Sequence, residues 1–249
     1  MLREVRFLRA GHCLVDRAQL ITGEAAGHLI RIPIWAFLLR SDDALILVDS
    51  GMPEDCIGNE GYFAGSEDAD QIRPLMGEAD GVLRILERQA VAPEDLDLVV
   101  LTHSHFDHAG GSSRLRTQQV LMHGAELEAV RQEDVPPRWL DMSLSYRGVD
   151  DGFEPTEGVR LIHTPGHTPG HLSIHLRLPD RRPILLTADA VYMRENWERG
   201  VPGAMSDPEA GRRSVDRLRE IARMEKADVF FGHDPVQAQE PDWLSFVRE

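Results

Sequence analysis

The stretch LTHSHFDHAGG, Leu101–Gly111, decides how this chain is read. It closes LDLVVLT (Leu96–Thr102), a continuous apolar run rich in valine and leucine that reads as a buried strand. Directly after Thr102 come His103, His105, Asp107 and His108, then two glycines. Four ligand-type side chains in six residues do not suit a core, where unpaired polar groups cost on the order of several kcal/mol. A solvated polar loop is the bland alternative. Three imidazoles beside a carboxylate at a strand end are instead the composition of a metal site, and strand ends are where layered α/β folds put their chemistry.

Spacing divides the motif. In extended backbone His103 and His105 point the same way, so both can grip one ion. Asp107 and His108 follow once a turn has begun and can aim at a second ion beside the first. Each ion then needs a further protein ligand. The ends of other expected strands offer His171, Asp189 and His233.

A second histidine-rich stretch, HTPGHTPGHLSIH (His163–His175), spaces four histidines four residues apart. Pro165, Gly166, Pro169 and Gly170 exclude a helix there. They imply a tight irregular turn that hands over to a strand at His171. His171 is therefore the expected ligand. His163 ends the incoming strand and reads as structural, His167 lies mid-turn and reads as supporting or exposed, and His175 belongs to the strand interior.

Around these motifs the chain alternates strands and helices. IWAFLLR (Ile34–Arg40) and ALILVD (Ala44–Asp49), separated by SDD, read as a hairpin. Further strands are expected at 119–123, 159–164, 171–178, 183–189 and 227–233. Val82, Ile85, Leu86 and Ala90 share one helical face, and GAELEAVRQED (124–134) is a shorter helix candidate. The longest helix is expected to open with Asp207 as its cap and Pro208 in its first turn, burying Val215, Leu218, Ile221 and Ala222. The class is α/β or a mixed layered fold. Gly51–Gly81 resists assignment: it is long, glycine-rich and acidic, and holds Tyr62 and Phe63. A loop of that length is either functional or disordered, and its aromatics favour a lid or substrate wall.

Bulk composition narrows the function. With 249 residues and 42% hydrophobic content the chain can bury a substantial core. Its net charge of −15 argues against nucleic acid and anionic membrane surfaces as partners, and favours a neutral small substrate. Two cysteines, Cys13 and Cys56, make no disulfide framework. The N-terminal stretch carries Arg3, Glu4, Arg6 and Arg9 and has no signal-peptide core. A cytoplasmic protein, monomeric or homodimeric, is expected.

The pattern His-x-His-x-Asp-His with a distal His, a distal Asp and a late Gly-His resembles the metallo-β-lactamase superfamily. That resemblance implies one domain over residues 1–249, built as an αββα sandwich with a dinuclear metal site at one edge. His103, His105 and His171 would hold one metal, Asp107, His108 and His233 the other, with Asp189 bridging. NEGYFAG, THSHFDHAGG, HTPGHTPGH, ADAVYMRENWE, MSDPE and FFGHDPVQ together look like the N-acyl-homoserine lactone hydrolases of this fold. In those enzymes a tyrosine at the Tyr192 position contacts substrate; ordinary packing is its alternative reading here. Where family members carry a second aromatic after the Phe63 position, this chain has the acidic run Glu67–Asp70.

The resemblance implies two divalent ions, zinc first, with iron, cobalt or manganese as alternatives. Two such ions roughly 3.5–4 Å apart can share a water and bring its pKa from about 15.7 towards 7, so that hydroxide attacks the lactone carbonyl. Tyr192 could donate to the developing oxyanion. Asp107 has two candidate roles, ligand and proton shuttle. Tyr62, Phe63 and Phe106 could wall the acyl chain. Other lactones, thioesters or phosphotriesters are alternative substrates for the same metal chemistry. A di-iron redox protein is the alternative of another class, although such proteins usually carry Glu where this chain has His105.

Overall fold

The computed structural model describes residues 1–66, 68–115 and 119–248. Its strands are β1 (Leu2–Asp16), β2 (Leu29–Ser41), β3 (Leu45–Val48), β4 (Ile72–Leu75), β5 (Leu98–Val100), β6 (Val120–His123), β7 (Tyr146–Val149), β8 (Val159–His163), β9 (Leu172–Leu176), β10 (Ile184–Leu186), β11 (Asp228–Phe230) and β12 (Val247–Arg248). They form two sheets. The larger runs β12-β1-β2-β3-β5-β6-β7, with β4 also on β1; the smaller runs β11-β10-β9-β8.

The expected hairpin is the centre of the larger sheet. Along β2, Trp35, Phe37 and Leu39 face the smaller sheet, while Ile34, Ala36 and Leu38 face helices on the far side. β3 repeats this with Ile46 and Val48 on one face and Leu45 and Leu47 on the other. Both faces are covered, which is why these strands are unbroken apolar runs rather than alternating ones. Phe7 from the larger sheet meets Phe230 from the smaller edge-on, ring centroids 4.6 Å apart. Fully burying a side chain of that size stabilises by roughly 1.5–3 kcal/mol.

Helices close the two outer faces. Val82–Arg88 buries Val82, Ile85 and Leu86, and Gly124–Gln132 buries Leu127 and Val130, both against the larger sheet. The long helix spans Pro208–Glu225, with Asp207 accepting from the N–H groups of Glu209 and Ala210 at 3.0 Å. Its Val215, Leu218 and Ala222 cover the smaller sheet. The layers are therefore αββα.

Two regions depart from the sequence reading. The charged N-terminal stretch is β1, the longest strand; register shifts at Leu2/Glu4 and Arg9/His12 break its alternation and hide it from a period-2 search. Within 51–81, β4 pairs with His12–Val15 at the sheet margin, where Pro74 is tolerated. Tyr62 and Phe63 are both packed to 8% exposure. The acidic run begins at Glu67, which lies outside the described residues.

In the larger sheet β3, β5 and β6 are parallel, and in the smaller one β10 and β11 are parallel. Their C-terminal ends open onto one edge of the sandwich. The segments leaving β3, β5, β10 and β11 carry Asp49, His103–His108, Asp189 and His233 respectively.

Candidate metal centre

β5 ends at Val100, and the chain bends at Thr102, Ser104 and His105 before entering the short helix Phe106–Ala109. The ring nitrogens of His103 and His105 converge on a third imidazole, Nε2 of His167. It lies 3.1 Å from His103 Nε2 and 2.8 Å from His105 Nδ1. On the other side of the turn, Asp107, His108 and His233 gather: His108 Nε2 and His233 Nε2 lie 3.6 and 3.7 Å from Asp107 Oδ2. Asp189 stands between the two groups. Its Oδ2 is 3.2 Å from His167 Nε2, and its Oδ1 is 3.1 Å from His108 Nε2 and 3.0 Å from His233 Nε2. One carboxylate thus presents one oxygen to each trio, and the atoms of each group are close enough to share an ion.

His167 stands where His171 was expected. His171 is fully buried, but its Nδ1 bonds Thr164 Oγ1 at 2.8 Å and its Nε2 accepts from the backbone N–H of Asp189 at 3.0 Å. Both ring nitrogens are occupied by protein, so it has no lone pair to offer. The turn 164–170 throws His167 outward over the site, and its carbonyl accepts from Ser206 N. The repeated TPGH unit offers two histidines of identical local sequence, and only the tertiary path of the turn separates them. His163 is structural as expected: its Nε2–H donates to Pro169 O at 2.9 Å.

The outer ring nitrogens fix the inner ones. His108 Nδ1–H donates to Asp49 Oδ2 at 2.8 Å, and His233 Nδ1–H donates to Pro33 O at 2.9 Å. His103 Nδ1 bonds Thr102 Oγ1 at 3.1 Å, and His167 Nδ1 bonds Tyr192 Oη at 2.9 Å. These partners hold the outer nitrogens, so that the inner nitrogens of His103, His108, His167 and His233 point into the site, the arrangement that metal-ligating histidines need. Burial pulls the pKa of His103 well below its ordinary value and that of His105 to about 4. Burial also disfavours the Asp189 carboxylate, yet His108, His233 and His167 around it hold its pKa well below the usual range.

A metal fits this donor set. Among the described residues, buried His108 Nε2 and Asp189 Oδ1 have no hydrogen-bond partner, although they lie 3.1 Å apart. Unsatisfied polar atoms of this kind are rare in native proteins and ask for an ion or water.

Asp49 was missed by the sequence reading. It follows β3 with φ 57°, accepts from Thr102 N at 2.8 Å and Thr102 Oγ1 at 2.9 Å, and orients His108. The available signal was a carboxylate at the end of a buried strand, beside the strand that carries the histidines.

His105, His167, Asp107, His233 and Asp189 line one side of a cavity of about 440 Å³, with His103 and His108 buried behind them. Its walls include Cys13, Val15, Ile32, Phe63, Phe106 and Tyr192. Phe63 meets Phe106 edge-on at 4.8 Å. Tyr62, expected in this wall, lies behind it: its ring packs on Phe63 at 5.0 Å and under the Arg138 guanidinium at 4.0 Å, and its hydroxyl accepts from Arg138. Tyr192 is buried, and burial with the nearby carboxylates of Asp189 and Asp107 raises its pKa well above the ordinary value, which keeps its proton in place.

The profile of the Metallo-beta-lactamase superfamily matches residues 29–233. The chain belongs to that superfamily. As a member of the metallo-beta-lactamase superfamily it has relatives that share nearly its whole length. An N-acyl homoserine lactonase of Bacillus sp is 39% identical over 237 residues, 95% of each chain. N-acyl homoserine lactonase AiiA of Bacillus thuringiensis subsp. kurstaki is 38% identical over the same share. A solved N-acyl homoserine lactone hydrolase, with the product N-hexanoyl-L-homoserine at its catalytic metal centre, superposes with a TM-score of 0.92 at 37% identity over 96% of both chains. The αββα architecture and the metal-dependent hydrolase class are those of the superfamily. Among the described residues, no helix is long and apolar enough to cross a membrane.

Proposed function

We propose that this protein hydrolyses the ring ester of N-acyl homoserine lactones, the quorum-quenching reaction, at two divalent metal ions. The observation that carries this is the meeting of two donor trios and a shared carboxylate beside a largely apolar cavity, which His105, His167, Asp107, His233 and Asp189 line. His103, His105, His167 and Asp189 would hold one ion; Asp107, His108, His233 and Asp189 the other. The His-rich donor set suits zinc, with imidazole at the position of His105 where iron sites usually carry a carboxylate. Bound there, such ions supply an activated water and a Lewis acid for an ester carbonyl.

The chain's own groups do the rest. The Tyr192 hydroxyl, which lies 3.3 Å from Ala204 O, can turn its proton onto the carbonyl oxygen as negative charge develops there. Asp107 lies on the floor of the cavity and is placed to carry a proton to the departing ring oxygen. Phe63, Phe106, Val15 and Ile32 give an acyl chain an apolar wall, with Tyr62 bracing it from behind. The neutral substrate suits a chain of net charge −15. Buried free thiols at Cys13 and Cys56 are consistent with a cytoplasmic location.

The test is a pH-indicator hydrolysis assay of the zinc-loaded protein. It compares N-acyl homoserine lactones of several chain lengths with a thioester, a β-lactam and a phosphotriester. Highest kcat/KM on the lactones is expected. Preference for any of the other three overturns the substrate assignment.

A further inference from the structure

Ser104 separates His103 from His105, and each of its polar atoms is held by a neighbour. Its backbone N–H and its hydroxyl both donate to Glu126 Oε1, at 2.9 and 2.6 Å. Its carbonyl accepts from Trp139 Nε1 at 2.8 Å. The other oxygen of Glu126 accepts from Gly170 N at 2.9 Å. Gly170 lies three residues after His167, in the same turn. A single carboxylate at 1% exposure therefore ties the loop bearing two members of the first trio to the turn bearing the third.

The contact is as close as backbone allows. A Cβ at position 170 would stand 2.2 Å from Glu126 N, so glycine is required for the turn to reach the start of the helix Gly124–Gln132. A second brace runs alongside. His123 caps that helix by accepting from Ala125 N, and its ring stacks on His163 at 3.7 Å, which in turn donates to Pro169 O.

We infer that Glu126 is a positioning residue: it sets the spacing between the His103–His105 loop and the His167 turn, and so the affinity of that trio for a divalent ion. The inference rests on the metal-centre reading above. All three partners of Glu126 are donors, which a carboxylate satisfies from both oxygens. A carboxamide cannot, because its NH2 must face a donor on one of the two loops. Charge-assisted bonds of this kind are also the stronger ones.

The experiment uses the full chain and zinc itself as the probe, titrated in competition with a chromophoric chelator. In E126Q one zinc equivalent is expected to weaken by about 10- to 100-fold, the usual effect of removing a group that orients a ligand. The other equivalent keeps its wild-type affinity. S104A, which removes the hydroxyl bond and leaves both backbone bonds, is expected to shift that same equivalent far less. If E126Q does not fold, E126D replaces it; shortened by one methylene, it reaches one loop but not both, and the same selective weakening is expected. Wild-type affinity for both equivalents overturns the inference. Equal weakening of both, in step with a lower melting temperature of the metal-free protein, also overturns it, since that is the signature of general destabilisation. Because the readout is affinity and not turnover, an inactive wild type that still shows the selective shift removes the lactone reading and leaves Glu126 in its role; a wild type that binds no zinc removes both.

Discussion

The backbone N–H of Asp189 donates to Nε2 of His171 at 3.0 Å. That bond takes Nε2 of His171, while His167 turns its Nε2 towards the ring nitrogens of His103 and His105, within 3.2 Å of Asp189 Oδ2. On the proposed reading, His167 would hold metal, and His171 would position Asp189, the carboxylate set between the two trios.

Replacing the two histidines should therefore give different losses. H167A is expected to lose one zinc equivalent on dialysis against a chelator, with kcat/KM down by more than about 100-fold, beyond the range typical for a supporting residue. H171A should keep both equivalents at saturating zinc. Its cost should appear in stability, about 1–3 kcal/mol for a buried N–H left without a partner. Metal content by elemental analysis, set beside urea unfolding, separates the two. Zinc loss from H171A with retention by H167A would reverse the assignment.

Tyr192 is expected to act in kcat. Y192F should lower kcat by about 100-fold or more, as loss of one oxyanion donor does, with both zinc equivalents still bound at saturating zinc. Gly203 offers an independent check: a Cβ there would stand 2.0 Å from the Tyr192 ring. G203A should displace the ring and reproduce much of the kcat loss without touching the hydroxyl. Steady-state kinetics on one lactone decide the matter, and an unchanged kcat in Y192F removes the residue from the chemistry and leaves it only its contacts with His167 and Ala204.

Chain-length preference is expected to depend on Phe63. F63A opens the cavity wall that stands on Phe106, so KM should rise most for long acyl chains. Y62F keeps the buried ring and removes only a hydroxyl turned to Arg138, so it should leave the preference as it is. Kinetics across a series from four to about twelve carbons measure both. An equal rise at every length in F63A would count against the wall.

Acid sensitivity of folding is expected from His175. Burial pulls its pKa to about 4, with Glu225 opposing and Arg160 and Arg177 reinforcing the shift. The unfolded chain carries the same imidazole near about 6.5. Between those values the unfolded state binds more protons, so stability is full above about 6.5 and falls as pH drops towards 4. Urea unfolding of the metal-free protein at pH 7.5 and 5.5 should show a larger loss for wild type than for H175Q. Equal losses would place the sensitivity elsewhere.

Much of this architecture is legible before any coordinates. The unbroken runs of β2 and β3 announce strands covered on both sides, and Asp207-Pro208 followed by Val215, Leu218 and Ala222 announces the long helix and its buried face. The histidine motif after β5 locates the site because four polar ligands in six residues have no other economical home. What stays hidden is set by tertiary path. β1 changes register twice, so neither face carries a clean alternation. His167 and His171 sit in the same TPGH repeat, and the choice between them is made by which one Asp189 and Thr164 engage. Asp49 carries no local motif at all; its part becomes visible only when β3 is placed beside β5. Tyr62 and Phe63 are neighbours in sequence, yet only Phe63 faces the cavity.

The doubly covered β2 has a consequence for how this chain tolerates change. A strand at a protein surface gives every second position to water, and mutation drifts freely there. From Ile34 to Leu39 no side chain is more than 6% exposed. Six consecutive codons therefore lie under the same constraint, and a polar replacement at any of them meets a dry interior whichever way it points.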